Sequence, residues 1–162
     1  MGQDAQGAAT HSAAAVGIDH VGVTVRSLDR SLAFYRDLLG LRVIELSEEA
    51  DISEIVGIRR ARVKAADLDT GDGRVFELLE YVSAQGSDVQ QQSNGAGCAH
   101  VALRVNDIRA ALARLAAAGY HPDGTPTLLT GAKAWEGATV VYLRDPDGAV
   151  IELVQRSDPN LG

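Results

Sequence analysis

The chain has 162 residues, of which 46% are hydrophobic and 23% charged, and its formal net charge is −7. This size and composition predict one compact globular unit, and the negative charge argues against nucleic-acid binding, which needs a basic surface. The single cysteine excludes an intrachain disulfide and favours a reducing, cytoplasmic location. Because no stretch approaches the ~20 apolar residues that span a membrane, we expect no membrane partner.

The N-terminal part of the chain predicts a tail followed by one mixed module. Residues 1–16 are rich in Ala, Gly, Gln and Ser and lack a signal-peptide pattern, so we expect a disordered tail that includes His11. Residues 17–82 then show strand alternation, one helical repeat that stops at Gly40, and a short insert. The predicted elements are a strand at 17–26, a helix from Leu28 to Leu39, strands at 41–47, 60–68 and 74–82, and one helical turn within 51–57.

The C-terminal part predicts the same order of elements again. Residues 83–97 carry Gln, Ser, Asn and Gly without periodicity, which is typical of a surface linker. Residues 98–156 then form a second module, and 157–162 form a C-terminal tail. The predicted elements are strands at 98–105, 126–130, 138–143 and 149–155, with a helix at 107–118. The sequence therefore predicts an α+β fold of two tandem βαβββ modules that together make one domain.

A histidine followed much later by a glutamate recurs in both modules. The segment Gly17-Ile18-Asp19-His20-Val21 reappears as Gly97-Cys98-Ala99-His100-Val101. The segment Asp72-Gly73-Arg74-Val75-Phe76-Glu77-Leu78 reappears as Asp147-Gly148-Ala149-Val150-Ile151-Glu152-Leu153. A repeat that preserves two potential ligands per copy predicts a four-ligand metal site of His20, Glu77, His100 and Glu152 where the modules join.

Strand alternation supports the choice of these glutamates. Phe76 and Leu78 flank Glu77 and belong on the helix-covered face, so Glu77 faces the opposite, concave side. Glu80 has the other parity, and its offset from Gly73 does not match the offset of Glu152 from Gly148. Two imidazoles and two carboxylates suit one divalent ion, such as Zn, Ni, Co, Mn or Fe. Water or substrate would fill the remaining coordination positions, which is typical of a catalytic site.

Several motifs resemble those of the vicinal oxygen chelate superfamily, which includes glyoxalase I, methylmalonyl-CoA epimerase, extradiol dioxygenases, and fosfomycin and bleomycin resistance proteins. The resemblance covers about residues 17–156. It is carried by Asp19-His20-Val21-Gly22, the run from Ser31 to Leu41, Phe76-Glu77-Leu78, His100-Val101-Ala102, and the run from Tyr142 to Gly148 leading into Ile151-Glu152-Leu153.

This resemblance implies curved mixed sheets that enclose a metal-binding cavity, and it places the two histidines and two glutamates on the superfamily's metal positions. The acid at position 77 is similar to glyoxalase I, whereas methylmalonyl-type epimerases tend to have glutamine there. It implies a metal-dependent lyase or isomerase that chelates a small carbonyl substrate through vicinal oxygens. In such enzymes a proton moves through an enediolate or enolate, with Glu152 or Glu77 as the base.

Two other functions stay open at this point. One is an Fe(II)-dependent extradiol-type ring-cleaving dioxygenase, which needs two histidines and one carboxylate. The other is a non-catalytic protein that binds an antibiotic or metabolite and confers resistance without metal. Each predicts a different dependence on the metal, so metal analysis separates them.

Segments outside the repeat are expected to set specificity for the small-molecule substrate. These are residues 50–60 and the loop 130–137, and the predicted pocket residues are Trp135, Lys133, Arg59 and Tyr81. The linker is long enough for the metal site to form within one chain or across a twofold axis. We expect a homodimer.

Overall fold

The computed structural model describes residues 15, 17–131 and 133–157. The two predicted tails, 1–16 and 157–162, lie outside the described residues except for Ala15 and Ser157. Within the described part of the chain, no helix is long and apolar enough to cross a membrane.

Within the described residues, eight strands and three helices follow one another in the order that the sequence predicts. The strands are β1 His20–Val25, β2 Arg42–Asp51, β3 Arg62–Asp69, β4 Val75–Ser83, β5 His100–Arg104, β6 Thr127–Leu128, β7 Thr139–Arg144 and β8 Val150–Gln155. The helices are α1 Leu28–Leu32, which continues as a π-helical stretch Ala33–Leu38, then α2 Ser53–Val56 and α3 Ile108–Ala117, with a 3₁₀ turn at Lys133–Trp135.

The strands form two open four-stranded sheets with the same topology. Their orders are β1-β4-β3-β2 and β5-β8-β7-β6. In each sheet the first strand pairs with the last in parallel, and the other pairs are antiparallel. The α+β prediction with two βαβββ units is therefore confirmed.

The helices α1 and α3 are each held to their sheet by a polar side chain from the last strand of the same unit. Glu80 on β4 accepts a hydrogen bond from the Leu28 backbone N–H at 2.7 Å. Gln155 on β8 accepts one from the Ile108 backbone N–H at 2.8 Å. These contacts satisfy one orphan donor at each helix start. They also place Glu80 on the helix-covered face, away from Glu77.

Two strand boundaries differ from the prediction for identifiable reasons. β2 runs to Asp51 rather than to residue 47, because register shifts between Val43 and Glu45 and between Ser47 and Ala50 interrupt the alternation that marks a strand. β5 begins at His100 rather than at residue 98, so Cys98 precedes the strand and is half-buried. The predicted helical turn in the insert is confirmed as α2.

One hydrophobic core joins the two units. Phe34 packs edge-to-face against Tyr120 from the second unit, with ring centroids 4.8 Å apart. Tyr35 packs against Phe76 at 4.9 Å, and its hydroxyl donates to Asp145 Oδ2 at 2.9 Å. Tyr35 and Asp145 are both buried, so this hydrogen bond crosses the junction inside the protein.

Two arginines hold the predicted linker against the folded units. Arg26 donates to the Gly86 carbonyl oxygen at 2.6 Å, and its guanidinium also pairs with Asp88. Arg144 donates to the Gln91 carbonyl oxygen at 2.7 Å and to Ser93 Oγ at 2.9 Å. Residues 86–93 are thereby fixed to both units.

Candidate metal centre and substrate groove

The first half-site, which we define as His20 and Glu77, lies on neighbouring parallel strands. Glu77 is flanked by Phe76 and Leu78, which are 1% and 0% exposed, so strand alternation turns its carboxylate to the open face of the sheet. His20 starts β1 on that same face. Its Nε2 lies 3.9 Å from Glu77 Oε2.

The second half-site, defined as His100 and Glu152, repeats this arrangement on β5 and β8. Ile151 and Leu153 are both fully buried in the core, and Glu152 between them faces the open side. His100 Nε2 lies 3.2 Å from Glu152 Oε2. Glu152 is the more enclosed of the two carboxylates, with a side chain 12% exposed against 26% for Glu77.

The spacing within each half-site fits the ligands of a divalent metal. Protein ligands bind Zn²⁺ at about 2.0–2.2 Å, so two of them at 90–110° lie about 3.0–3.4 Å apart. The separation in the second half-site falls in this range, and that in the first is somewhat wider. Imidazole nitrogen with carboxylate oxygen is a donor set suited to Zn, Ni, Co, Mn or Fe.

The two half-sites remain separate within one chain. Among the residues that the structure describes, no three His, Cys, Asp or Glu side chains come close enough to hold a metal ion. Both His20 and His100 nevertheless line one groove of about 790 Å³ between the two sheets.

Asp19 orients the first histidine and raises its pKa. Its Oδ1 lies 2.8 Å from His20 Nδ1, which leaves Nε2 directed to Glu77. This hydrogen bond is the main reason that the pKa of His20 is raised, and the negative charges of Glu77 and Asp67 add to it while desolvation opposes them. Protons therefore compete for the same nitrogen that a metal needs.

The residue opposite each glutamate differs between the units, and sequence reasoning missed both. Asp67 on β3 lies opposite Glu77, whereas Tyr142 on β7 lies opposite Glu152. The Tyr142 ring is centred 5.1 Å from that of His100, and burial together with the charge of Glu152 raises its pKa. Only the register between strands identifies these neighbours.

Gly22 gives the first carboxylate its space. It lies opposite Glu77, and a Cβ at this position would come 3.1 Å from Glu77 Oε2. The second unit has Ala102 at the matching position opposite Glu152. The two half-sites therefore share one arrangement but differ in the space that is left beside the carboxylate.

One of the four predicted pocket residues lines the groove. Trp135 does so together with both histidines, and it is 38% exposed. Lys133, Arg59 and Tyr81 are not among the groove-lining residues, although Tyr81 lies on the same sheet face as Glu77. Three arginines that were not predicted do line it: Arg74, Arg104 and Arg156. Arg74 and Arg104 lie in predicted strands and Arg156 follows one, but their position beside the groove was not readable from the sequence.

A comparison of the sequence with known protein families identifies the family to which this fold belongs. The family model of the Glyoxalase/Bleomycin resistance protein/Dioxygenase superfamily matches residues 17–153. The chain belongs to this superfamily. The resemblance inferred from the motifs is thus confirmed, and the match spans both units with all four candidate ligands.

Individual relatives of the superfamily cover nearly the whole chain. A lactoylglutathione lyase of Haemophilus influenzae is 28% identical over 143 residues, covering 88% of this chain and 95% of the relative. A probable lactoylglutathione lyase of Vibrio cholerae is 27% identical over 144 residues, covering 88% and 93%. The crystal structure of a glyoxalase-family protein from Bacillus cereus has a TM-score of 0.78 at 21% identity and covers 91% of this chain and 99% of that one.

Proposed function

We propose that the protein is a divalent-metal-dependent lyase or isomerase that moves a proton between neighbouring carbons of a small carbonyl substrate. The observation that carries this proposal is the pairing of an imidazole with a carboxylate on the open face of each sheet, at 3.9 and 3.2 Å. The relatives named lactoylglutathione lyase support the same class of reaction.

His20, Glu77, His100 and Glu152 would hold the ion, one per complete site. When bound, it would supply Lewis acidity to two adjacent oxygens of the substrate. The remaining chemistry belongs to the chain's own side chains, which must orient the substrate and carry a proton between its carbons.

We assign the proton transfer to Glu152. Its side chain is about half as exposed as that of Glu77, and a shielded base keeps the transferred proton from exchanging with water. Its neighbour across the strand is Tyr142, which can donate a hydrogen bond, whereas the neighbour of Glu77 is the carboxylate Asp67. The second half-site therefore has the better surroundings for a base.

We further propose that the complete centre forms in a twofold homodimer. The first half-site of one chain would face the second half-site of its partner, which gives two centres per dimer and one metal per chain. This assembly accounts for the separation of the half-sites within the described chain. It is also one of the two arrangements that the linker length allows.

Mixing two inactive variants tests this assembly directly. The first variant carries His20→Ala with Glu77→Ala, and the second carries His100→Ala with Glu152→Ala. A mixed dimer contains one complete centre, so metal content and activity should return after the two chains are refolded together. A mixture that stays metal-free would refute the shared centre, because complementation is possible only across chains.

The reaction class is tested on the wild-type protein. Plasma mass spectrometry after reconstitution and dialysis should find about one Mn, Fe, Co, Ni or Zn per chain. Deuterium exchange from D₂O into a panel of α-hydroxy, α-keto and thioester substrates should then depend on that metal. Oxygen consumption with a catechol and Fe(II), without exchange, would instead establish the dioxygenase. Ligand binding without metal or exchange would establish a binding protein.

A further inference from the structure

A second cavity lies where the linker crosses the junction of the two units. It has a volume of about 600 Å³, and among the described residues it shares no lining residue with the groove of His20 and His100. Its walls come from the segment after β1, from the linker, and from the turn that precedes β8. The charged residues that line it are Arg26, Arg30, Asp88, Arg144 and Asp147. We call this space the junction cavity.

The inner carboxylate of the junction cavity, Asp147, is part of the fold. Its Oδ2 accepts a hydrogen bond from the Arg26 backbone N–H at 3.0 Å, and its Oδ1 pairs with the Arg30 guanidinium. The Asp147 side chain is only 13% exposed. These contacts join the turn before β8 to the first unit, so Asp147 has a structural role whatever the cavity holds.

The outer carboxylate, Asp88, is held much less firmly. Its side chain is 79% exposed and lies on the linker, where the Arg26 Nε–H donates to its Oδ1 at 2.6 Å. An ion pair this exposed contributes little to stability, because water and salt screen it. Asp88 therefore occupies one edge of the Arg26 guanidinium in a way that a stronger anion can replace.

Two guanidinium groups of the junction cavity have donors without an acceptor among the described residues. A guanidinium carries five N–H groups. Arg30 uses only Nη2, for Asp147, and Arg26 uses Nε and Nη2, for the linker. Arg144 has an acceptor at each of its three nitrogens, so it serves as a wall. The Nη1 group of Arg26 and the Nε and Nη1 groups of Arg30 therefore remain for a ligand.

The repeat shows that the start of a helix does not require arginine at either position. Positions 26 and 30 match positions 106 and 110 of the second unit, where the chain has Asn106 and Ala110. The helix caps Ser27 and Asp107 match as well, and each accepts a hydrogen bond from its own helix. Because the second unit forms the same helix start without these cations, the two arginines serve the junction cavity rather than the helix.

We propose that the junction cavity binds a dianionic phosphate group, which Arg26 and Arg30 hold and for which Asp88 competes. Guanidinium groups bind phosphate through pairs of parallel N–H···O hydrogen bonds, and a dianion attracts two of them more strongly than one exposed carboxylate does. The cavity is large enough for a small organic molecule, so the phosphate can belong to an ester. This site is independent of the proposed metal centre, because none of the four candidate ligands lines it.

Isothermal titration calorimetry with inorganic phosphate tests the site on the full chain. The titrations use chloride buffer at about pH 8, where the phosphate group is dianionic, and a fixed ionic strength. A chelator is present so that no metal ion can bind the phosphate. Glycerol phosphate, titrated in parallel, separates the two sources of the group. Tighter binding of glycerol phosphate indicates a phosphate ester as the ligand, and equal or weaker binding indicates free phosphate.

The wild-type protein should bind phosphate saturably, at about one site per chain. Arg26→Gln and Arg30→Gln should each weaken binding at least ~10-fold, the usual effect of losing a hydrogen bond to a charged group. Asp88→Asn should strengthen binding about 2- to 5-fold, because it removes the competing carboxylate and keeps the size of the side chain. This gain is measurable even where an arginine variant folds poorly.

Two control variants carry the same charge changes elsewhere. Arg104→Gln lies in the groove, and Glu48→Gln lies on β2, at the opposite edge of the first sheet from β1. Both should bind phosphate within about 2-fold of the wild type, since surface substitutions away from a site have small effects. The proposal would be overturned by a wild type without saturable binding, by an Asp88→Asn variant that binds no more tightly, or by a loss in Arg104→Gln as large as in Arg26→Gln.

Discussion

The Tyr35→Phe substitution isolates the hydrogen bond that joins the two units inside the core. The hydroxyl donates to Asp145 Oδ2 at 2.9 Å, and the two residues are 0% and 4% exposed. Phenylalanine preserves the ring, which packs edge-to-face on Phe34 and Phe76. The change therefore removes one hydrogen bond and little packing.

The expected loss in the free energy of unfolding at pH 7 is about 2–3 kcal/mol. A hydrogen bond to a charged group is worth about 1.5–3 kcal/mol, and a buried acceptor left short of a donor costs a similar amount. Asp145 keeps two other donors, the backbone N–H groups of Asp147 and Ala149 at 2.9 and 2.7 Å. These remaining hydrogen bonds limit the loss and let the variant fold.

The loss should also depend on pH. Burial raises the pKa of Asp145, while hydrogen bonds from Ala149, Tyr35 and Asp147 lower it, so removal of the hydroxyl raises the pKa further. A folded-state pKa above the unfolded value of about 3.9 means that the native state binds more protons, and stability falls as pH rises through that interval. The difference between variant and wild type should therefore grow from pH 4 to pH 7.

Urea unfolding at both pH values measures this difference. Tyr120→Phe is the matched control, because the Tyr120 ring packs on Phe34 and its hydroxyl makes no hydrogen bond with any described residue. It should change stability by less than about 0.5 kcal/mol. A Tyr35→Phe loss no larger than that of the control, or one that shrinks from pH 4 to pH 7, would refute this account of the junction.

Three further predictions concern the half-sites. Glu152→Gln should lower proton exchange ~100-fold or more while part of the metal is retained, as measured by deuterium incorporation and metal analysis. Asp19→Asn should lower the pKa of His20 and so extend metal binding to lower pH in a competition titration; an unchanged pH profile would contradict the role of Asp19. Gly22→Ala should weaken metal binding about 2- to 12-fold, because the Glu77 carboxylate must shift by a few tenths of an ångström and strain its side-chain torsions; unchanged affinity would contradict a role for this clearance in holding the metal.

The order of elements was predictable because hydrophobic periodicity and turn residues are local signals. The alternation around Glu77 and Glu152 identified which faces are buried, and the fold agrees with it. The bulges in β2 were not predictable, because an extra residue interrupts the two-residue alternation from which a strand is predicted. The two-residue strand β6 is likewise too short for any period to mark its ends.

The neighbours of the candidate ligands required contacts between strands. Asp67 and Tyr142 can be identified only from the register of β3 with β4 and of β7 with β8. The sequences of β3 and β7 alone do not indicate that these residues lie next to the candidate ligands. Asp145 was readable as a turn residue, yet its burial against Tyr35 depends on how the two units pack. Side chains that meet through tertiary packing leave no period in the sequence.

The two half-sites share their ligand pair but differ in the residues around it, and these differences bear on the proposed reaction. Symmetry preserves the ligand pair, but a reaction that moves a proton from one carbon to its neighbour treats its two ends differently. The copies differ beside the carboxylate, where Tyr142 lies opposite Glu152 and Asp67 lies opposite Glu77. Under the proposed function, this difference favours Glu152 as the base that moves the proton. The first half-site, with Gly22 opposite its carboxylate, would then serve mainly to complete the proposed metal centre.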